Sequence, residues 1–252
     1  MIKLAVLLKR KNGMTFEEFD RYWRDQHGDL IGSISDFTRH VRRYSQSHII
    51  DPSYGGEGLK WPRAEFDGIA EFWFESIAEM NRAFSEPKFV EEVGTDYAHF
   101  VEKASIMVTE EVEKVPPNGE AGVKLSVVMR RREGMSFGDF DKYWLHNHGD
   151  LVLSVSEFTR HLRRYVQSHV VPDYSPADSG SALLNEWGAA DFDGIAELWF
   201  DDIPGIVAAF NEPRCLEIIG PDDARFIDVP RTELMTVREI DKLPLHGKTA
   251  AV

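Results

Sequence analysis

One block of this sequence is written twice, and that duplication limits the folds open to the chain more than any single motif does. Residues 2–50 align with 123–171 without a gap, and about half the positions are identical. Most of the rest are conservative, such as Lys9 with Arg130 or Val41 with Leu162. The alignment resumes at Phe66 and Phe192, where FDGIAEFWF faces FDGIAELWF after a linker that is longer in the second copy. It continues through Phe84, Glu86 and Pro87 against Phe210, Glu212 and Pro213. Val115-Pro-Pro-Asn-Gly119 reads as a turn-rich joint. The expectation is two homologous domains, 1–115 and 121–245.

Within each copy, strand and helix patterns alternate. Residues 2–8 are an apolar run of strand length. After the Asn12-Gly13 turn, Thr15-Phe-Glu-Glu18 has the form of a capping box, and Phe16, Phe19, Tyr22 and Trp23 recur at helical spacing. His27-Gly28 reads as the end of that helix, glycine being the usual left-handed stop, with a short helical piece over 30–35. A strand ending at His48, an irregular loop over 51–65 and a strand over 66–74 follow. Helices over 77–84 and 86–93 and a strand over 104–112 complete the copy. The order βαββαβ, twice, is that of the ferredoxin-like unit. Each sheet would carry helices on one face and be bare on the other. Pairing the bare faces gives an α+β fold, an intramolecular dimeric α/β-barrel, and tandem linkage favours that pairing.

A net charge of −14 argues against nucleic acid or an anionic membrane as partner. The single cysteine, Cys215, rules out an intrachain disulfide and a cysteine-based zinc site, and fits a reducing cytoplasm. The apolar run near the amino terminus is too short for a signal peptide or membrane span. The expected location is cytoplasmic.

Chemistry concentrates in the repeated stretch FTRHVRRYSQSH (37–48), which returns as FTRHLRRYVQSH (158–169). Strand alternation puts His40, Arg42, Tyr44, Gln46 and His48 on one face and Arg39, Val41, Arg43, Ser45 and Ser47 on the other. Neither face is apolar, and buried polar groups need partners, so the strand reads as the wall of a polar pocket. Antiparallel pairing with the next strand would set His48 near Asp67, Tyr44 near Glu71, His169 near Asp193 and Tyr165 near Glu197. A carboxylate beside a histidine or tyrosine orients it for acid–base work; the same pairs serve equally as a structural network. Arg42, Trp73, Arg163 and Trp199 are the candidate substrate-binding side chains.

At roughly 3.3 Å per residue, His40 and His48 stand on the order of 26 Å apart and cannot share a substrate atom. Two groupings therefore compete: His27 with His40, or Tyr44, His48 and Asp67. Their counterparts are His148 with His161, or Tyr165, His169 and Asp193. His27 and His148 each follow a tryptophan by four residues, which places both on one helix face. His99, His146 and His246 lack counterparts and are assigned to the surface. Trp61, Trp187, Tyr54 and Tyr174 are candidates for an apolar cavity that takes a ring. No metal, nucleotide-loop or nucleophile-elbow signature is present, so neither a metal nor a cofactor is expected.

With these residues in hand, the chain resembles the EthD family of dimeric α/β-barrel proteins. The resemblance rests on KLAVLLKRKNGMTFEEFDRYWRDQHGDL and FDGIAEFWF, each repeated, and covers most of both halves. Asp29 and Asp150 stand where many relatives have proline after His-Gly. The resemblance implies association with breakdown of ethers and aromatic compounds, or with dehydratase-like steps in polyketide pathways. It also implies a superfamily of cofactor-free monooxygenases, isomerases, cyclases and haem enzymes, with pockets between sheet and helices.

The resulting expectation is a cofactor-independent lyase or dehydratase acting on a small aromatic or polyketide-like molecule. His48 or His27 would be the base, Tyr44 the acid, and Asp67 or Glu71 the orienting group, with His169 or His148, Tyr165, Asp193 and Glu197 in the second copy. Both pockets would be competent. The alternatives are a cofactor-free monooxygenase on a phenol and a non-catalytic ligand-binding accessory protein. A further homodimer is compatible with either.

Overall fold

In the computed structural model, which describes residues 1–51 and 59–243, eight strands close into one barrel. They are β1 (Ile2–Arg10), β2 (Val41–Ile49), β3 (Gly68–Phe74) and β4 (Val101–Val115) in the first half. The second half supplies β5 (Val123–Met129), β6 (Arg164–Val170), β7 (Gly194–Phe200) and β8 (Glu233–Leu243). The order around the barrel is β1-β3-β2-β8-β5-β7-β6-β4, with every neighbour antiparallel. The halves join at two seams, β2 with β8 and β4 with β6. Among the described residues no helix is long and apolar enough to cross a membrane.

Strands buried on both faces read as continuous apolar runs, and β1 shows why. Leu4, Val6 and Leu8 pack outward against Phe19 and Trp23 of the helix layer, while Ala5 and Leu7 join Val128, Met235 and Val237 inside. An eight-stranded barrel is just wide enough for side chains to fill. Half of this interior is apolar; the other half is ionic. Lys3 and Lys124, both essentially unexposed, sit among Glu71, Glu197, Glu111 and Glu239. Lys124 lies 2.6 Å from Glu71, 2.9 Å from Glu197 and 2.9 Å from Glu239. Ser47 and Ser168 donate to Glu71 and Glu197 at 2.6 and 2.8 Å.

Burial raises the Glu71 carboxyl, with Glu197 and Glu239 adding to the effect and the lysines opposing it. Burial also acts on Glu197, but Lys3 and Lys124 outweigh it and hold that carboxyl well below its usual range. The two carboxyls interact, so they titrate as a pair. The knot spans both halves, so it ties their association to their charge state.

The first helix starts as expected: Thr15 accepts from the Glu18 N–H and Glu18 closes the capping box. The expected stop at His27-Gly28 is corrected. Helix Phe16–Arg21 widens into a π-helical turn, Tyr22–His27, and runs on as Gly28–Ser33, with Gly28 in right-handed helical geometry. Glycine there lets side chains approach closely, because a Cβ would lie 2.6 Å from Lys242 Cε and 3.1 Å from Gln46 Nε2. The second half repeats the device at Tyr143–His148. Such π turns commonly mark functional sites. The later helix also runs further than expected, Pro87–Phe100, and the last strand of the half covers Val101–Val115.

The loops after β2 and β6 cross to the opposite half. Ala64 N–H donates to Leu234 O at 2.8 Å, and Ile106 N–H to Gly188 O at 2.9 Å. Trp61 consequently packs in the second half's core and Trp187 against the first half's.

Candidate active site

The repeated strand carries its polar residues on two faces that meet different surroundings. Tyr44, Gln46 and His48 point at the helix layer, whereas Ser45 and Ser47 point into the barrel. The register with β3 pairs Tyr44 with Phe72, Ser45 with Glu71 and His48 with Gly68. A one-residue offset moves a side chain to the other face, so the expected pairing of Tyr44 with Glu71 is corrected, as is Tyr165 with Glu197. Both glutamates belong to the ionic interior. The expected partners of His48 and His169 are corrected too. Asp67 binds the Arg10 guanidinium and backbone N–H, and Asp193 does the same for Arg131. The carboxylate on His48 Nδ1 is Asp20 at 2.7 Å, and on His169 Nδ1 it is Asp141 at 2.6 Å.

Other candidates are placed elsewhere. His40 is held by Glu79 and Glu86, and His161 by Glu212, away from both cavities described below; His27 and His40 form no group. Arg42 pairs with exposed Glu75, and Arg163 with Asp201. Trp73 points into the barrel, donating to Glu111 at 2.8 Å beneath the Arg43 guanidinium, and Trp199 lies beneath Arg164 and Lys124. His99 and His146 are exposed; His246 and Tyr54 lie outside the described residues. Tyr174 packs on the first half's core.

Each half has a cavity between its sheet and its helices. In the second half it encloses about 40 Å³ and is lined mainly by apolar groups, including Trp61, Trp144, Phe158, Leu198 and Phe226. Three polar side chains reach it: His148, Tyr165 and Asp223. His148 Nδ1 lies 3.0 Å from Asp222 Oδ2, and Tyr143 OH donates to the other oxygen of Asp222 at 2.7 Å. Burial would raise the Asp222 carboxyl, but the bonds from His148 and Tyr143 outweigh it and hold it below its ordinary value. A carboxylate on Nδ1 fixes that proton and leaves the Nε2 lone pair facing the cavity. Asp223 Oδ1 stands 3.6 Å from Nε2, close enough to stabilise an imidazolium once it forms.

Tyr165 ends a buried chain. His169 packs against Trp144 with ring centroids 4.2 Å apart and planes tilted by 35°, and meets Gln167 Oε1 at 3.2 Å. Gln167 Nε2 donates to Tyr165 OH at 2.9 Å and to Trp144 O at 3.1 Å. Burial pushes the Tyr165 phenol up to about 12, so it stays protonated and able to donate. His169 stands behind the indole and does not line the cavity. Gly194 makes room for that indole, since a Cβ there would lie 2.5 Å from Trp144 Cζ3.

The first half repeats the parts with less space. Its cavity encloses about 10 Å³ and is lined by Trp23, His27, Tyr97 and Trp187 among others. His27 Nδ1 lies 2.7 Å from Asp96, to which Tyr22 OH also donates at 2.6 Å. Asp20, His48, Gln46 and Tyr44 form the matching chain. Tyr97 occupies the position of Asp223, and its ring lies 4.8 Å from Trp187. Burial lowers the His27 imidazole despite Asp96.

Sequence reasoning missed Asp96 and Asp222, and also Asp20 and Asp141. A signal existed for all four. GTDYAHF (94–100) aligns with GPDDARF (220–226), and the aspartate before Tyr-Trp is identical in both copies. Among the described residues no group of three or more His, Cys, Asp or Glu side chains could hold a metal ion.

The EthD domain model matches twice, over residues 11–104 and 132–230. No curated protein sequence matches the chain. Solved structures do. An anthrone oxidase-like protein is 10% identical, covers 100% of this chain and 96% of its own, and superposes with a TM-score of 0.63. A mutant chlorite dismutase of Candidatus Nitrospira defluvii is 8% identical, with coverage of 94% and 90% and a TM-score of 0.50. An EthD family protein of Bacillus halodurans C-125 is 21% identical over 47% of this chain and 98% of that one, with a TM-score of 0.34. The two structures with the higher scores share the dimeric α/β-barrel fold. The chain, with its family match in both halves, belongs to the EthD family.

Proposed function

We propose that the second-half cavity is the active site of an enzyme that removes a proton from an aromatic or polyketide-like substrate by side-chain acid–base chemistry. The observation that carries this reading is His148, fixed at Nδ1 by Asp222 and presenting Nε2 to an apolar cavity that Tyr165 also reaches. An apolar wall takes a ring, and a few converging polar groups orient it. His148 takes the proton, and Asp222 and Asp223 stabilise the imidazolium. Tyr165 donates to the oxygen on which charge develops or which departs.

In the dehydratase form, the electron pair left on carbon becomes a double bond, and the adjacent hydroxide leaves as water with the Tyr165 proton. In the monooxygenase form, the deprotonated carbon, which keeps one hydrogen, bonds to dioxygen and takes a proton to give a hydroperoxide. Its O–O bond breaks as that hydrogen leaves, so that one oxygen stays as a carbonyl and the other departs as water. The structural neighbour called anthrone oxidase-like makes that form worth equal test. The two forms divide on one readout, oxygen consumption. The halves are read as ferredoxin-like βαββαβ units with limits 1–115 and 121–245, in keeping with strand order β4-β1-β3-β2 and its equivalent.

The test compares His148→Gln with His27→Gln on a panel of hydroxyarenes and β-hydroxy ketones, following absorbance and oxygen. The reading expects turnover to fall at least about a hundredfold in the first variant, as for loss of a general base, and little in the second. Equal loss in both, or none in His148→Gln, rejects it.

A further inference from the structure

We infer that Lys60, reaching across from the first half, makes the second-half site selective for aromatic substrates that bear a carboxylate. The ring would occupy the inner cavity and the carboxylate would rest on the ammonium at the mouth. This rests on the reading above for where the ring lies, but it concerns recognition and is tested by binding alone.

The two halves keep the same groups at the chemical end: Trp23 and Trp144, His27 and His148, Tyr44 and Tyr165, Asp96 and Asp222. They part at the mouth. Each crossing loop delivers a tryptophan, Trp61 or Trp187, and the residue before it is Lys60 in one case and Glu186 in the other. Opposite them stand Asp223 and Tyr97. One entrance thus carries a lysine–aspartate pair, whereas the other carries a glutamate and a phenol.

The second entrance is an outer cavity of about 80 Å³ that includes Leu59, Lys60 and Leu216 and shares Phe210, Ile219 and Asp223 with the inner one. The two hollows therefore abut at these three side chains, and the proposed ligand would reach from one into the other. Lys60 forms an ion pair with the buried Asp223 and donates to Gly220 O at 2.9 Å. An ammonium has three donors, so two acceptors among the described residues leave one N–H for a ligand. Its side chain is one-third exposed (33%) and lies 5.2 Å from the Trp61 ring centroid, beside the slot for the substrate ring. Asp223 holds the ammonium in place, and a carboxylate accepting the third N–H completes its shell with a charge-assisted bond. On a chain of net charge −14, such a cation at the mouth decides whether an anionic ring is admitted. The first half has the contrary arrangement. Its outer hollow is lined by Glu186, Glu102 and Lys103, so the carboxylates outnumber the one lysine there, and Tyr97 and Trp187 border both that hollow and the cavity that holds His27.

The test measures binding of 2-naphthoate and its neutral isostere 2-naphthamide by calorimetry and tryptophan quenching. The wild-type chain is expected to bind the acid at least about tenfold more tightly than the amide. Lys60→Gln should lose about that factor for the acid and leave the amide within about twofold; Lys60→Arg should keep the preference. Asp223→Tyr, which copies the first-half mouth, should remove both from the second site. Circular dichroism and the melting temperature establish that each variant is folded. Equal weakening of both probes in Lys60→Gln, equal affinity of the wild type for both, or no binding of either overturns the inference. Lys60-dependent preference without turnover would instead count against the catalytic reading alone.

Discussion

Lys124→Met tests whether the ionic knot inside the barrel holds the two halves together. Lys124 is 1% exposed and contacts three carboxylates, Glu71 at 2.6 Å, Glu197 at 2.9 Å and Glu239 at 2.9 Å. Methionine conserves the stem and removes the charge. Lys3, paired with Glu71, Glu111 and Glu197, and Arg43, paired with Glu239 and Asp241, then remain as the cations of the cluster, so the loss is that of an uncompensated buried charge, about 3–5 kcal/mol. That is a large share of a total stability of about 5–15 kcal/mol. For a chain of this size each kcal/mol shifts the melting temperature by about 2–4 °C, so the drop should be about 6–20 °C. Calorimetry or circular dichroism at pH 8 reads it directly. The pH dependence has a definite sign: carboxyls left without their lysine take up protons in the folded state, so the deficit should be smaller at pH 5 than at pH 8. Lys88→Met, at an exposed pair with Glu92 3.8 Å away, is the control and should change little. A drop below about 2 °C, or one that grows on acidification, would refute the argument.

Three further outcomes follow from the site. Asp222→Asn should lower turnover about ten- to a hundredfold, the equivalent of one charge-assisted hydrogen bond, while Asp96→Asn leaves it near wild type; equal losses would show that both cavities work. Stability should fall as pH drops below the ordinary histidine value of 6.5, because burial lowers His27 and His169 in the fold and the unfolded rings take protons first. Their contribution is complete above 6.5, and His27→Gln should flatten the slope; a melting temperature that rises between pH 7 and 5 would contradict this. Gly194→Ala forces its Cβ against Trp144 and should cost about 1–3 kcal/mol by overpacking, with weaker ring binding read by calorimetry.

Order and pairing were legible because they depend on patterns the chain repeats. The apolar run of β1, the Thr15 capping box and the doubled FDGIAE block are local signals. Tandem duplication supplied the two-fold relation between the halves. Register was not legible to one residue, and in a sheet one residue exchanges faces; this is how Glu71 and Glu197 left the expected pocket for the barrel interior. The π-helical turns were hidden because Gly28 and Gly149 look like stops, although their lack of a Cβ serves close packing against Lys242 and Lys114. The aspartates on His27 and His148 lie 69 and 74 residues away along the chain, on a helix whose facing side only the tertiary fold determines. Lys60 and Trp61 belong in space to the other half's cavity, which no reading of one repeat by itself could reveal.

The second-half cavity is proposed to hold the ring with His148 and Tyr165 at its inner end. A crystal structure with bound 1-naphthol tests it most directly. The ring is expected between Trp144 and Phe226, with its hydroxyl within hydrogen-bond distance of His148 Nε2 or Tyr165 OH and the first-half cavity closed by Tyr97. Naphthol beside His27, or lodged in the barrel interior with His148 untouched, would contradict it.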